Sequence, residues 1–190
     1  MGKGLPRSLG GGRAKEIESI LLGSPALGDV DILHAAVTDN GSEQEITTGL
    51  SNPDIPRNVT ATAGGTADDI KAIQVIVEGT DEEGNALTET LPAFTVNTAG
   101  TVVGSKVFAT ITKFTIPAHD GTGATTSLGT GAKLGIGRKL KRDTVLNAYL
   151  NGAREATRPT VAVSATAISA NHITLNSALD GNPVIVDLYN

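Results

Sequence analysis

The chain is a series of short alternating runs cut again and again by turn dipeptides, and this pattern limits its possible folds more than any other feature. Asn151-Gly152, Asp180-Gly181, Asp39-Asn40-Gly41 and the acidic run Asp81-Glu82-Glu83-Gly84-Asn85 each separate apolar or β-branched stretches. Such punctuation is the strongest short-range signal for chain reversal between strands. Within the runs the period is two: Ile73, Val75 and Val77 face one way, Gln74 and Glu78 the other. The spacing predicts strands over 32–37, 45–48, 59–63, 71–78, 86–91, 107–116, 145–150, 160–165, 172–176 and 184–189. Val107–Ile116 is the longest β-branched run and reads as a central strand ending at Pro117. Pro53 and Pro56 exclude a central strand between them and mark a rigid connector.

Composition supports strands over helices. The 190 residues include 24 Thr and 23 Gly but only five aromatic side chains, a balance that favours sheets with many turns. The absence of cysteine excludes disulfides, Cys-based zinc sites and iron–sulfur clusters. No apolar stretch is long enough for a membrane-spanning helix, and no apolar core follows the basic N-terminus to make a secretory signal. A net charge of −5 disfavours nucleic acid as the main partner. The fold class expected is all-β, a β-sandwich of Ig-like or similar type.

Three segments follow. Residues 1–30 read as a flexible N-terminal arm, glycine-rich at Gly10-Gly11-Gly12, leading into a short amphipathic helix over Ala14–Leu22. Ile20 and Leu21, three and four residues after Ile17, set its stripe with it, and Gly23-Ser24-Pro25 ends it. Residues 31–140 read as the main β domain and 141–190 as a small C-terminal β subdomain. The stretch 120–137, with glycines at 121, 123, 129, 131, 135 and 137, reads as a long loop with at most a short strand near 125–128. Arg138-Lys139-Leu140-Lys141-Arg142 marks the break in composition that follows it.

No motif carries recognisable chemistry. His34, His119 and His172 lack the spacing of metal ligands. His119-Asp120 pairs a base with a carboxylate, but the G-x-S-x-G elbow that would present a nucleophile is missing. The glycines fit neither phosphate-loop pattern, and no helix follows them. Asp68-Asp69 and Asp81–Glu83 lack the EF-hand pattern and read as solvated turns. Asn40 and Asn58 match the glycosylation sequon, which has no meaning without secretion. The expectation is a non-enzymatic chain with no catalytic residue, metal or cofactor and no small-molecule substrate.

Three runs carry a resemblance. Asn52-Pro-Asp-Ile-Pro-Arg-Asn-Val-Thr-Ala-Thr-Ala-Gly-Gly-Thr66, Ile73-Gln-Val-Ile-Val-Glu-Gly-Thr80 and Ile116-Pro-Ala-His-Asp-Gly-Thr-Gly-Ala-Thr-Thr-Ser-Leu-Gly129 resemble virion structural proteins of tailed bacteriophages. The resemblance implies a β-rich, non-enzymatic subunit of the particle, made in the host cytoplasm without a signal peptide. Its partners would be other virion proteins, either the major capsid protein or tail and neck subunits, and further copies of itself. A capsid-associated decoration or cement subunit is the favoured role. A tail-tube, neck or collar component and a fibre or host-surface binding module are the alternatives. The expected protein interface comprises the apolar anchors Leu5, Leu9, Ile17, Ile20 and Leu21. It also comprises the basic residues Arg7, Arg13, Arg138, Lys139, Lys141 and Arg142.

Overall fold

A computed structural model describes residues 16–189 of the chain. Leu5, Arg7, Leu9 and Arg13 therefore lie outside the described residues. The described fold is all-β, as expected, with two single-turn 3-10 segments at Ala67–Asp69 and Ile168–Ala170.

Among the described residues, fourteen strands form three antiparallel sheets. The first has the order β1(Ile17–Gly23), β14(Val184–Tyr189), β10(Val145–Leu150) and β11(Ala153–Arg154). The second runs β12(Thr160–Ala162), β13(His172–Thr174), β9(Ala124–Gly135), β4(Arg57–Gly65) and β7(Gly100–Phe108), with β2(His34–Thr38) also on β9. The third runs β3(Gln44–Ile46), β8(Thr110–Ile116), β5(Ile76–Thr80) and β6(Ala86–Thr90). The turns fall where their dipeptides require. Asn151 and Gly152 both take positive φ, 51° and 74°, the pair of left-handed residues that a two-residue hairpin needs to join β10 to β11.

Buried side chains form two clusters. The first fills the space between the second and third sheets, with Val59, Ala61, Phe108 and Leu128 facing Val77, Ile111, Phe114 and Ile116. The second joins the first sheet to the far end of β9 through Leu134, Ile136, Ala148, Ile173, Val184, Val186 and Leu188. β9 contributes Leu128 to one and Leu134 to the other, and so threads both cores.

Three local readings of the sequence are corrected. The segment 14–22 does not contain a helix over its described part: Ile17–Gly23 is β1, paired with β14 from Ile17↔Tyr189 to Gly23↔Val184. Glu18, Ile20 and Leu22 turn inward and Ile17, Ser19 and Leu21 outward. Two turns of helix are marginal in water, whereas β14 offers a ready ladder and the second core takes Ile20 and Leu22. The glycine-rich stretch is not a loop but holds the twelve-residue β9, the longest strand. Its glycines exist for close approach: a Cβ on Gly129 would meet the Asp29 carbonyl oxygen at 2.0 Å, and one on Gly131 the Asn58 side chain at 2.4 Å. The run 107–116 is two strands in different sheets. At Ala109 the chain crosses from β7 to β8, its N–H donating to the Thr80 carbonyl at 2.8 Å.

Two polar side chains repair the ladder where it slips. The register of β4 shifts after residue 57 against β9 and after residue 58 against β7. Fully buried Asn58 spans both irregularities. Its Nδ2 donates to the Gly104 carbonyl at 3.1 Å, and its Oδ1 accepts from the Lys133 N–H at 2.9 Å. The Glu89 carboxylate on β6 accepts from the Ser105 amide and hydroxyl at 2.6 and 2.7 Å, pinning β6 to the bulged part of β7.

Candidate interaction surface

The first sheet ends at β1, and among the described residues β14 is its single ladder partner. An edge strand presents backbone groups that another chain can pair with. Two of the three outward side chains of β1 are large and apolar, Ile17 at 66% exposure and Leu21 at 64%, with Ser19 between them. Ile20, the third expected anchor on this strand, points the other way and packs on the second core.

The basic run after β9 lies against the same edge. Arg138 makes a two-pronged pair with Glu18 of β1, Nη1 to Oε2 at 2.9 Å and Nη2 to Oε1 at 2.6 Å. Lys139 Nζ donates to Glu83 Oε2 at 2.8 Å. The Arg142 guanidinium lies 5.6 Å from the centre of the Tyr189 ring, and Tyr189 is the register partner of Ile17. Of the four expected basic interface residues that are described, three meet groups of their own chain, and Lys141 is exposed. These contacts fasten the segment that follows β9 to the neighbourhood of β1.

Between β1, the β5–β6 turn and the end of β9 lies a cavity of about 390 Å³, lined by Ile20, Leu21, Leu22, Glu82, Ile136 and Ile168 among others. Glu82 Oε2 is buried there without a hydrogen-bond partner. Burial, with Asp81 and Glu83 adding repulsion, raises its carboxyl to about 7 against the opposing Gly137 amide. The sequence places Glu82 in a solvated turn, but it is its neighbours that serve the turn: Asp81 accepts from the Glu83 and Asn85 amides at 2.9 Å each, and Glu83 from Asn85 Nδ2 at 3.3 Å.

The remaining polar candidates work as local structure. His119 Nδ1 accepts from the Lys71 N–H at 3.2 Å, so Nε2 carries the proton and donates to Thr126 Oγ1 at 2.9 Å. Burial holds this imidazole below its ordinary value despite Asp39 and Asp120. Asp120 turns instead to Lys71 Nζ at 3.2 Å, so the two adjacent residues do not form a dyad. His34 lies against Phe114, ring centres 5.3 Å apart, and His172 stands on β13. Asp69 Oδ2 accepts from the Gly123 amide at 2.9 Å. Asn58, one of the two sequon asparagines, is buried in the sheet. No group of three or more His, Cys, Asp or Glu residues capable of holding a metal occurs among the described residues, and no described helix is long and apolar enough to cross a membrane. What the sequence did not reveal is Glu18 as the partner of Arg138, 120 residues away. No local signal links them. No family model, curated protein or solved structure matches the chain.

Proposed function

We propose that this chain is a non-enzymatic structural subunit of a tailed-phage particle that binds its neighbours through its N-terminal segment and the β1 edge. The observation carrying this reading is the apolar, singly paired edge of β1, entered directly from the arm, with the 138–142 segment fastened beside it. Edge strands associate by adding a strand from another chain, with exposed side chains giving specificity. Many weak contacts of this kind gain strength when repeated on a symmetric lattice. The resemblance of three runs to virion structural proteins supports this class, and an all-β chain built on backbone ladders suits repetitive assembly.

Within that class, a capsid-associated decoration or cement subunit is the favoured role. The test is quantitative mass spectrometry of purified particles. The chain should be present in many copies per particle; its absence from particles would overturn the reading. Light scattering of the dilute protein then separates the roles. A monomer fits a decoration subunit that needs the capsid as its template, and rings fit a tail or neck component.

A further inference from the structure

A second apolar surface lies beyond the other end of β1. Residues 26–33 form a strap across β9, held by backbone hydrogen bonds and, at its end, by the buried side chain of Leu33. The Thr130 N–H donates to the Asp29 carbonyl at 2.9 Å, the Leu33 N–H to the Leu128 carbonyl at 3.1 Å, and Ser127 Oγ to the Val30 carbonyl at 2.9 Å. Gly129 allows the strap to sit this close. With its backbone pressed onto glycine, the strap sends Leu27, Val30 and Ile32 outward, while Leu33 turns into the first core. Leu27 is 65% exposed, Ile32 56% and Val30 48%. Leu27 and Ile32 line a cavity of about 390 Å³, together with Leu33 and Pro53. Contiguous exposed apolar side chains of this kind mark a surface meant to be covered.

The rim is acidic. Asp29 lines the cavity, and its Oδ1 accepts from the Asp31 N–H at 3.3 Å. The two carboxylates are close enough that Asp29 raises Asp31 above the ordinary range, first by hydrogen bonding and then by repulsion. Among the described residues no Lys or Arg pairs with either. Asp54, deeper in the cavity, is instead paired with fully buried Arg57 at 3.0 Å. The site therefore calls for an apolar side chain flanked by cations.

One segment of this chain has that chemistry. Residues 1–15 hold Lys3, Arg7, Arg13 and Lys15 and none of the chain's twenty acidic residues. Lys3, Leu5, Arg7 and Leu9 alternate, so an extended backbone places two leucines and two cations on one side. This segment enters β1 at Ile17, whereas the strap leaves the opposite end of the strand, beyond Gly23. Seven residues of strand put about 23 Å between those ends.

We infer that the strap cavity is the receptor for the N-terminal segment of a second copy, Leu5 or Leu9 entering between Leu27 and Ile32 while Arg7 and Lys3 meet Asp29 and Asp31. The inference rests on the structural-subunit reading and names the surface on which the arm lands.

The cysteine-free chain makes the test direct. Full-length protein carrying Leu9→Cys is mixed at high concentration with differently tagged full-length protein carrying Ile32→Cys, and disulfide formation is followed on gels. The expected result is a mixed dimer forming about tenfold faster than with Val96→Cys, an exposed site elsewhere. Asp29→Asn with Asp31→Asn, or about 0.5 M salt, should slow it about threefold. A rate equal to the Val96→Cys control overturns the inference. So does a bond formed only within one chain when both cysteines share a molecule, since the arm would then cover its own cavity. If the cross-link fails while the chain is still found in particles, the cavity is wrong and the structural-subunit reading stands. Absence from particles overturns that reading whatever the cross-link does.

Discussion

Arg138 and Glu18 meet in a two-pronged ion pair, 2.6 and 2.9 Å, that ties the segment after β9 to the N-terminal edge strand. Both side chains are about one-third exposed, so the pair contributes little to global stability, on the order of 1 kcal/mol or less. Its effect is local. In Arg138→Ala the amides of β1 should exchange with deuterium faster than in the parent, while the amides of β4 and β9 keep their protection.

Two truncations should differ sharply. Removing residues 1–15 leaves β1 in place, and the denaturation midpoint should stay near that of the full chain. Removing 1–22 strips the strand from β14 and takes Ile20 and Leu22 from the second core. Loss of two part-buried apolar side chains alone costs about 2–4 kcal/mol, and the bared edge of β14 should promote aggregation. Urea titration and sedimentation measure both effects.

Asn58 joins β4 to both neighbours at the point where the register slips. Asn58→Ala leaves the Gly104 carbonyl and the Lys133 amide without these bonds inside a sheet, and should cost about 2–4 kcal/mol. By contrast, Asn40→Ala, at an exposed turn, should lose well under 1 kcal/mol by the same measurement.

Gly129→Ala tests the strap. The new Cβ meets the Asp29 carbonyl and the Val30 backbone, neither of which can rotate away. The strap must lift from β9, at a cost of about 1–3 kcal/mol. Chemical shifts of residues 26–33 should move, while those of the third sheet stay unchanged.

Glu82 gives the chain a pH dependence. Its folded-state value near 7 lies above the ordinary 4.5, so the native state binds the extra proton between these values. Its contribution is full below about pH 4.5 and is lost as the pH rises through 7. Partial solvent access limits the change to roughly 1–2 kcal/mol. In Glu82→Gln the decline in stability between pH 5 and 8 should flatten, as read from urea midpoints across that range.

Much of this fold is legible in the sequence because turn chemistry and two-residue alternation act locally. Asn151-Gly152 reveals its hairpin, and Ile73, Val75 and Val77 reveal a buried face. The misreadings come where partners decide. Ile17, Ile20 and Leu21 satisfy a helical spacing, and only β14, more than 160 residues away, makes them a strand. The glycines of β9 look like a loop because their function, admitting the strap and Asn58 at contact distance, belongs to the packed structure. The residues expected at an interface are legible in the sequence only as apolar and basic types. That Arg138, Lys139 and Arg142 turn back onto their own chain depends on Glu18, Glu83 and Tyr189, which no spacing rule connects to them.

The most direct measurement is incorporation into particles of the full chain and of the chain lacking residues 1–15, supplied together and counted by mass spectrometry. The full chain should be retained in many copies, and the shortened chain, still folded, should be lost. Equal retention of the two, or absence of the full chain from the particle, would contradict a subunit that binds its neighbours through its N-terminal arm.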